Sequence, residues 1–152
     1  MKRLMLTTAM AFMLLSSTAV AQTVPFVAMK CDADAPVLGT IQLPQAVLAD
    51  GKPLVAGTYQ VRLTNDRPAT AVGQSPTAAC WVEFLKDQTV VGREVATIIS
   101  NDEIATVAKG PGPAPNDSRV DVLKGGEYIR AWINHASANY LINLPIAAVG
   151  RP

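Results

Sequence analysis

With 152 residues, 49% of them apolar, the chain is long enough to bury one proper hydrophobic core and suits a single domain. Its 13 basic and 12 acidic side chains nearly cancel, and loss of Lys2 and Arg3 with a cleaved leader leaves 11 against 12. That balance excludes the marked basic excess of a nucleic-acid binder and leaves no polybasic patch for anionic lipid.

The first 21 residues have the three-part order of a secretory signal. Lys2 and Arg3 supply the positive start, Leu4 to Leu15 the apolar stretch, and Ala19-Val20-Ala21 the small residues that signal peptidase requires. A bilayer span needs roughly 20 apolar residues and this stretch is nearer a dozen, so cleavage after Ala21 is expected rather than a transmembrane anchor. Apolar stretches beyond residue 21 are shorter still, so no stable membrane insertion is expected after cleavage. Cys31 lies ten residues past the expected cut, too far for a lipoprotein anchor. These features predict a periplasmic or secreted protein, with residues 1–21 as signal peptide, 22–36 as extended lead-in and 37–152 as a single β-domain.

In the exported part, hydrophobicity runs mostly at a period of two. Val37–Leu43 is the first predicted strand, ended by Pro44. Ala46–Ala49 and Leu54-Val55 flank a tight turn at Asp50-Gly51. Thr58–Thr64 alternates, with Tyr59, Val61 and Leu63 on one face, as in a half-buried antiparallel strand. Asn65–Ala79 is rich in Pro, Thr, Ala and Gly and predicts a long loop. Cys80–Lys86 and Thr89–Ser100 form the next hairpin, turning at Asp87-Gln88, and a shorter strand is expected over Glu103–Ala108. Pro111, Pro113 and Pro115 make Lys109–Ser118 a stiff exposed connection. Arg119–Lys124 turns through Gly125-Gly126, a two-residue hairpin, into Glu127–Asn134, and a turn over His135–Asn139 leads to Tyr140–Ile146. Eight or nine strands with short turns predict an all-β fold, an antiparallel sandwich or partly closed barrel.

Two cysteines, Cys31 and Cys80, in an exported domain predict one disulfide. They are too far apart in sequence to suggest a catalytic Cys-x-x-Cys pair.

The stretch Asp50-Gly51-Lys52-Pro53-Leu54-Val55-Ala56-Gly57-Thr58-Tyr59 resembles a hairpin of uncharacterised exported bacterial β-rich proteins, in which a Gly-Lys-x-Leu turn leads to an Ala-Gly-Thr-Tyr strand entry. The resemblance implies a β-rich fold and a bacterial envelope location, and implies no activity.

Catalytic candidates are sparse. His135 is the only histidine and sits beside Ser137 in a predicted turn, without a Gly-x-Ser-x-Gly elbow. One histidine and two distant cysteines make no zinc set. Loop acids at Asp32, Asp34, Asp102, Glu103 and Asp117 form no complete calcium signature. Among Glu83, Glu94, Asp121 and Glu127, only Glu94 has an ambiguous facing, because it shares phase with Ala96 and Ile98. No catalytic residue, metal or cofactor is assigned.

The candidate binding residues lie on one strand face. Tyr128, Arg130 and Trp132 alternate with Ile129, Ala131 and Ile133, so an inward aliphatic set leaves a Tyr-Arg-Trp row outside. Such residue types are enriched at interaction hot spots, and Trp81 extends the patch if its strand lies nearby. The row instead packs beneath a loop or in a second core layer if the strand is covered on both faces. The leading expectation is a non-catalytic exported domain binding an envelope protein, a glycan or another copy of itself. The alternatives are a small-ligand carrier with an apolar cavity, and a hydrolase using carboxylates or the lone histidine.

Overall fold

The computed structural model describes Cys31 and residues 37–69, 79–107, 110–123 and 125–147. The signal segment and all of the lead-in except Cys31 lie outside the described residues. Nine strands are present among the described residues: β1 Val37–Leu43, β2 Val47–Ala49, β3 Lys52–Leu54, β4 Gly57–Leu63, β5 Ala79–Lys86, β6 Thr89–Ser100, β7 Ser118–Val122, β8 Tyr128–His135 and β9 Ala138–Pro145. Seven form one sheet in the order β1-β4-β5-β6-β9-β8-β7, and β2 pairs with β3 apart from it. The large sheet coils until its two edges meet, where the Ser118 hydroxyl donates to the Thr40 carbonyl. The fold is therefore all-β, a partly closed antiparallel barrel.

Alternation explains the coiling. Tyr59, Val61 and Leu63 of β4 are buried, as are Cys80, Val82 and Phe84 of β5 and Ile129, Ala131 and Ile133 of β8. Each set lies on one side of its strand, so closing the sheet removes all of them from water together. Tyr59 meets Phe84 edge-on at 6.4 Å, and its hydroxyl donates to the Val55 carbonyl at 2.8 Å. Three tight turns join neighbouring strands with both central residues at positive φ: Asp50-Gly51, Asp87-Gln88 and Ala136-Ser137. That geometry matches the right-handed twist of the strands it joins.

The β2–β3 hairpin closes a gap in the barrel wall. β6 pairs with β5 over Thr89–Thr97, yet with β9 only over Ala96–Ser100. Where β6 and β9 diverge, the hairpin enters. Val47 bridges to Ile146, and the Ala147 amide donates to the Ala46 carbonyl. Opposite, Gly92 leaves room for Leu54, whose Cδ2 lies 3.0 Å from where a Cβ would stand. Glu94 accepts from the Asp50 amide at 2.8 Å, and Arg93 pairs with the Asp50 carboxylate at 3.0 Å.

Cys31 and Cys80 are joined by a disulfide with Cα atoms 5.8 Å apart. The bridge closes a loop over a sequence separation of 49 and stabilises the fold by about 4 kcal/mol in the chain-entropy account.

Two local expectations are corrected. The strand expected over Glu103–Ala108 is a single helical turn, α1 Ile104–Val107, with Ala108 outside the described residues. Ser100-Asn101-Asp102-Glu103 carries the Ser-x-x-Glu spacing of a helix start; the Ser100 hydroxyl bonds Glu103 and the Thr106 amide donates to the Glu103 carbonyl. The hairpin at Gly125-Gly126 is also wider than two residues. Val122 faces Ile129, the Leu123 amide donates to the Tyr128 carbonyl, and the Gly126 amide turns back to the Leu123 carbonyl. Both glycines hold positive φ within this longer loop. None of the helices among the described residues is long and apolar enough to cross a membrane.

Candidate functional site

On β8, Ile129, Ala131 and Ile133 are wholly buried, which turns Tyr128, Arg130 and Trp132 to the outer face. The three then part company. Tyr128 is 44% exposed at the start of the strand, opposite Pro145 of β9. Arg130 is half-buried, and its Nε donates to Oδ1 of Asn143, its cross-strand partner, at 3.1 Å. Trp132 is 1% exposed.

What buries Trp132 is a second, small core on the outside of the barrel. Ile99 and Leu141 flank it, and Ile104 of α1 packs against the group. The proline-rich connection lies across the top, so close that a Cβ on Gly112 would stand 2.7 Å from Trp132 Cζ2. Arg119, not Arg130, stacks on the indole, 5.0 Å from the ring centroid, while bonding Asp121 and the Pro111 carbonyl. Beneath, Trp132 Nε1 donates to Asn139 Oδ1 at 2.8 Å, and Asn139 Nδ2 donates to Asn101 Oδ1 at 2.8 Å. Asn139 is 2% exposed, and this chain satisfies its amide where water does not reach. Asn134 adds a bond to the Pro113 carbonyl. Trp132 thus holds the connection down.

Trp81 stands apart from Tyr128. β6 and β9 separate its strand from β8. The Arg93 guanidinium lies 4.5 Å above its ring, beside the Arg62–Glu83 pair. The four candidates therefore form two outward-facing positions, Tyr128 with Arg130 and Trp81 with Arg93, plus a buried pin. Arg93 and Arg119 are the members that sequence phase alone missed. Their signal is cross-strand: Arg119 faces Trp132 directly, whereas Arg93 faces Glu83, two residues along β5 from Trp81 and on the same face.

Several of the candidate acids have local partners. Glu94 turns its carboxylate to the Asp50 and Val95 amides. Asp117 receives the Ser118 amide, and His135 sits half-buried at the end of β8 opposite Ala138. Asp32 and Asp34 lie outside the described residues. Among the described residues no three His, Cys, Asp or Glu side chains gather to hold a metal ion.

Two open grooves mark the outer surface. One, about 430 Å³, runs by Gln60, Leu85, Lys86, Asp87 and Gln88. The other, about 440 Å³, lies along the β1–β7 edges by Thr40, Gln42, Ser118 and Val120. Thr58 borders both, and its hydroxyl donates to Gln42 Oε1 at 3.0 Å. Neither groove is lined by Glu94 or His135. Comparison of the chain with family models, with curated proteins and with solved structures gave no match.

Proposed function

We propose that the chain is an exported, non-catalytic β-domain of the bacterial envelope that binds a partner: a protein, a glycan or another copy of itself. The observation that carries this reading is the position of Tyr128. It is a large ring, 44% exposed, on a strand whose other face is fully buried, beside an arginine oriented by Asn143. A rigid strand presents such a pair at little entropic cost, and tyrosine and arginine are the residue types that dominate binding energy in interfaces. The leader-like first 21 residues and the Cys31–Cys80 bridge support an oxidising, extracytoplasmic setting.

The carrier alternative receives less support. Ile133 Cγ2 reaches to 3.1 Å from where a Gly39 Cβ would stand, so side chains fill the interior at that level. The test is capture of partners from the envelope fraction by the exported protein and by a Tyr128→Ala, Arg130→Ala variant. The reading expects a partner that the variant loses. Equal recovery by both proteins would reject the role of this pair.

A further inference from the structure

Each of the six pairings in the large sheet is antiparallel. Direction reverses at every step, so after six reversals β7 points the same way as β1. The two edges that meet at the seam are therefore parallel, and an antiparallel barrel of seven strands cannot close on its own pattern. No backbone bond joins β1 to β7 among the described residues; the Ser118 hydroxyl on the Thr40 carbonyl is the link across.

Which backbone groups face the seam follows from alternation, since successive residues of an antiparallel strand point their N–H and C=O to opposite neighbours. The Asn134 amide donates to Asp117, and the Leu123 amide donates to Tyr128. Residues 117, 119, 121 and 123 thus address β8, leaving Ser118, Val120 and Val122 turned to the seam. On β1, the Thr40 carbonyl that receives Ser118 sets the phase, so Thr40 and Gln42 face the seam too. Among the described residues these two strand edges have no backbone partner along the seam, where the Ser118 hydroxyl occupies the Thr40 carbonyl, and both border one groove of about 440 Å³.

We propose that this seam is a strand-acceptor site for an extended, uncharged segment of a partner protein, about five residues long to match β7. The proposal rests on the partner-binding reading above and names the class of partner. One segment running antiparallel to β1 is also antiparallel to β7, so it pairs with both edges and completes an eight-stranded antiparallel barrel. Its alternate side chains point inward beside Ile41 and Val120, which selects small apolar residues there, and the rest point out beside Thr40 and Gln42. The charged group at the rim, Arg119, is already engaged by Asp121 and the Pro111 carbonyl, so the groove offers no charge for a charged segment to meet. Strands pair at about 4.8 Å, so entry spreads β1 and β7 to about twice that and releases Ser118 from Thr40.

The experiment is amide hydrogen exchange by NMR on the exported protein, with and without an acetylated, amidated Thr-Val-Thr-Val-Thr-Val-Thr peptide. A twin peptide N-methylated at alternate residues is the control. In the free protein the amides of Gln42, Val120 and Val122 are expected to exchange with little protection. The plain peptide should slow them at least tenfold and the methylated twin should not. Ser118→Ala, which removes the competing bond, should tighten the peptide about fivefold. Protection already present in the free protein, equal effects of the two peptides, or no response at millimolar peptide each overturns the proposal. Partner capture that survives such a failure leaves the broader reading standing, and peptide binding without any captured partner does the reverse.

Discussion

Gly112 and Trp132 are matched surfaces: the backbone of the connection rests on the indole with no room for a methyl group between them. A Cβ at 112 would lie 2.7 Å from Cζ2 and 3.2 Å from Cη2, against a ring held from below by its bond to Asn139. Gly112→Ala is therefore expected to lower stability by about 1–3 kcal/mol, the range for overpacking, with a change in tryptophan fluorescence as the ring becomes wetter. Trp132→Ala should cost more, about 3–5 kcal/mol, because it empties the outer core and orphans the Asn139 carbonyl. Urea titrations of the two variants check both. Unchanged midpoints would mean that the connection does not hold this position in solution.

Trp132 also marks where the sequence stops being informative. Period-two alternation gives the two faces of β4 accurately, with Tyr59, Val61 and Leu63 buried. For β1 and β6 the predicted spans match those observed, but a bulge beside Leu38 and the burial of both Ile98 and Ile99 break the alternation. Alternation does not say whether an outward residue meets water or a returning loop. β9 makes the point: Tyr140, Leu141 and Ile142 are all buried, because the barrel covers one phase and the loop after β6 covers the other. The tight turn at Asp50-Gly51 was legible from residue type, and the turn expected over His135–Asn139 is present but tighter, a two-residue link at Ala136-Ser137. The helix at α1 was signalled by Ser100 and Glu103, but over four residues periodicity cannot separate a turn of helix from a short strand.

Ala136 and Ser137 suggest a second prediction. Both hold φ values, 48° and 64°, that side chains with a Cβ disfavour. The left-handed pair is imposed by the two-residue link between His135 and Ala138, which face each other across the hairpin. An Asn-Gly dipeptide suits this turn best, so the double substitution Ala136→Asn, Ser137→Gly is expected to raise stability by about 1 kcal/mol. Thermal unfolding measures it. A fall in Tm would show that Ser137 has a role beyond the turn.

Glu94 is the next. Its carboxylate caps the tip of the β2–β3 hairpin through the Asp50 amide, at a place where β6 has no β9 partner. The tip is exposed, so water replaces the bond in a variant, and Glu94→Ala should cost only about 1 kcal/mol. The local effect is larger than the global one. Exchange at the Asp50 amide should accelerate severalfold while the amides of β5 keep their rates, and equal acceleration everywhere would contradict a hairpin that opens by itself.

Alkaline pH tests the core through Tyr59 and Tyr140, whose phenols burial pushes above their ordinary value of about 10. The cause is desolvation, which penalises the phenolate and not the neutral ring. A group whose folded pKa is raised binds its proton more tightly in the native state. Its stabilising contribution is complete below about pH 10 and is lost as pH climbs through the folded value. Stability should thus stay flat in this respect near neutrality and drop steeply in the alkaline range. Tyr59→Phe removes the donor to the Val55 carbonyl, at a cost of about 1 kcal/mol near neutral pH, and removes one of the two ionisations. Its alkaline limb should be shallower than that of the parent protein, in urea unfolding followed from about pH 7 to about pH 11.5. An equally steep limb in the Tyr59→Phe, Tyr140→Phe double variant would assign the alkaline loss to other groups.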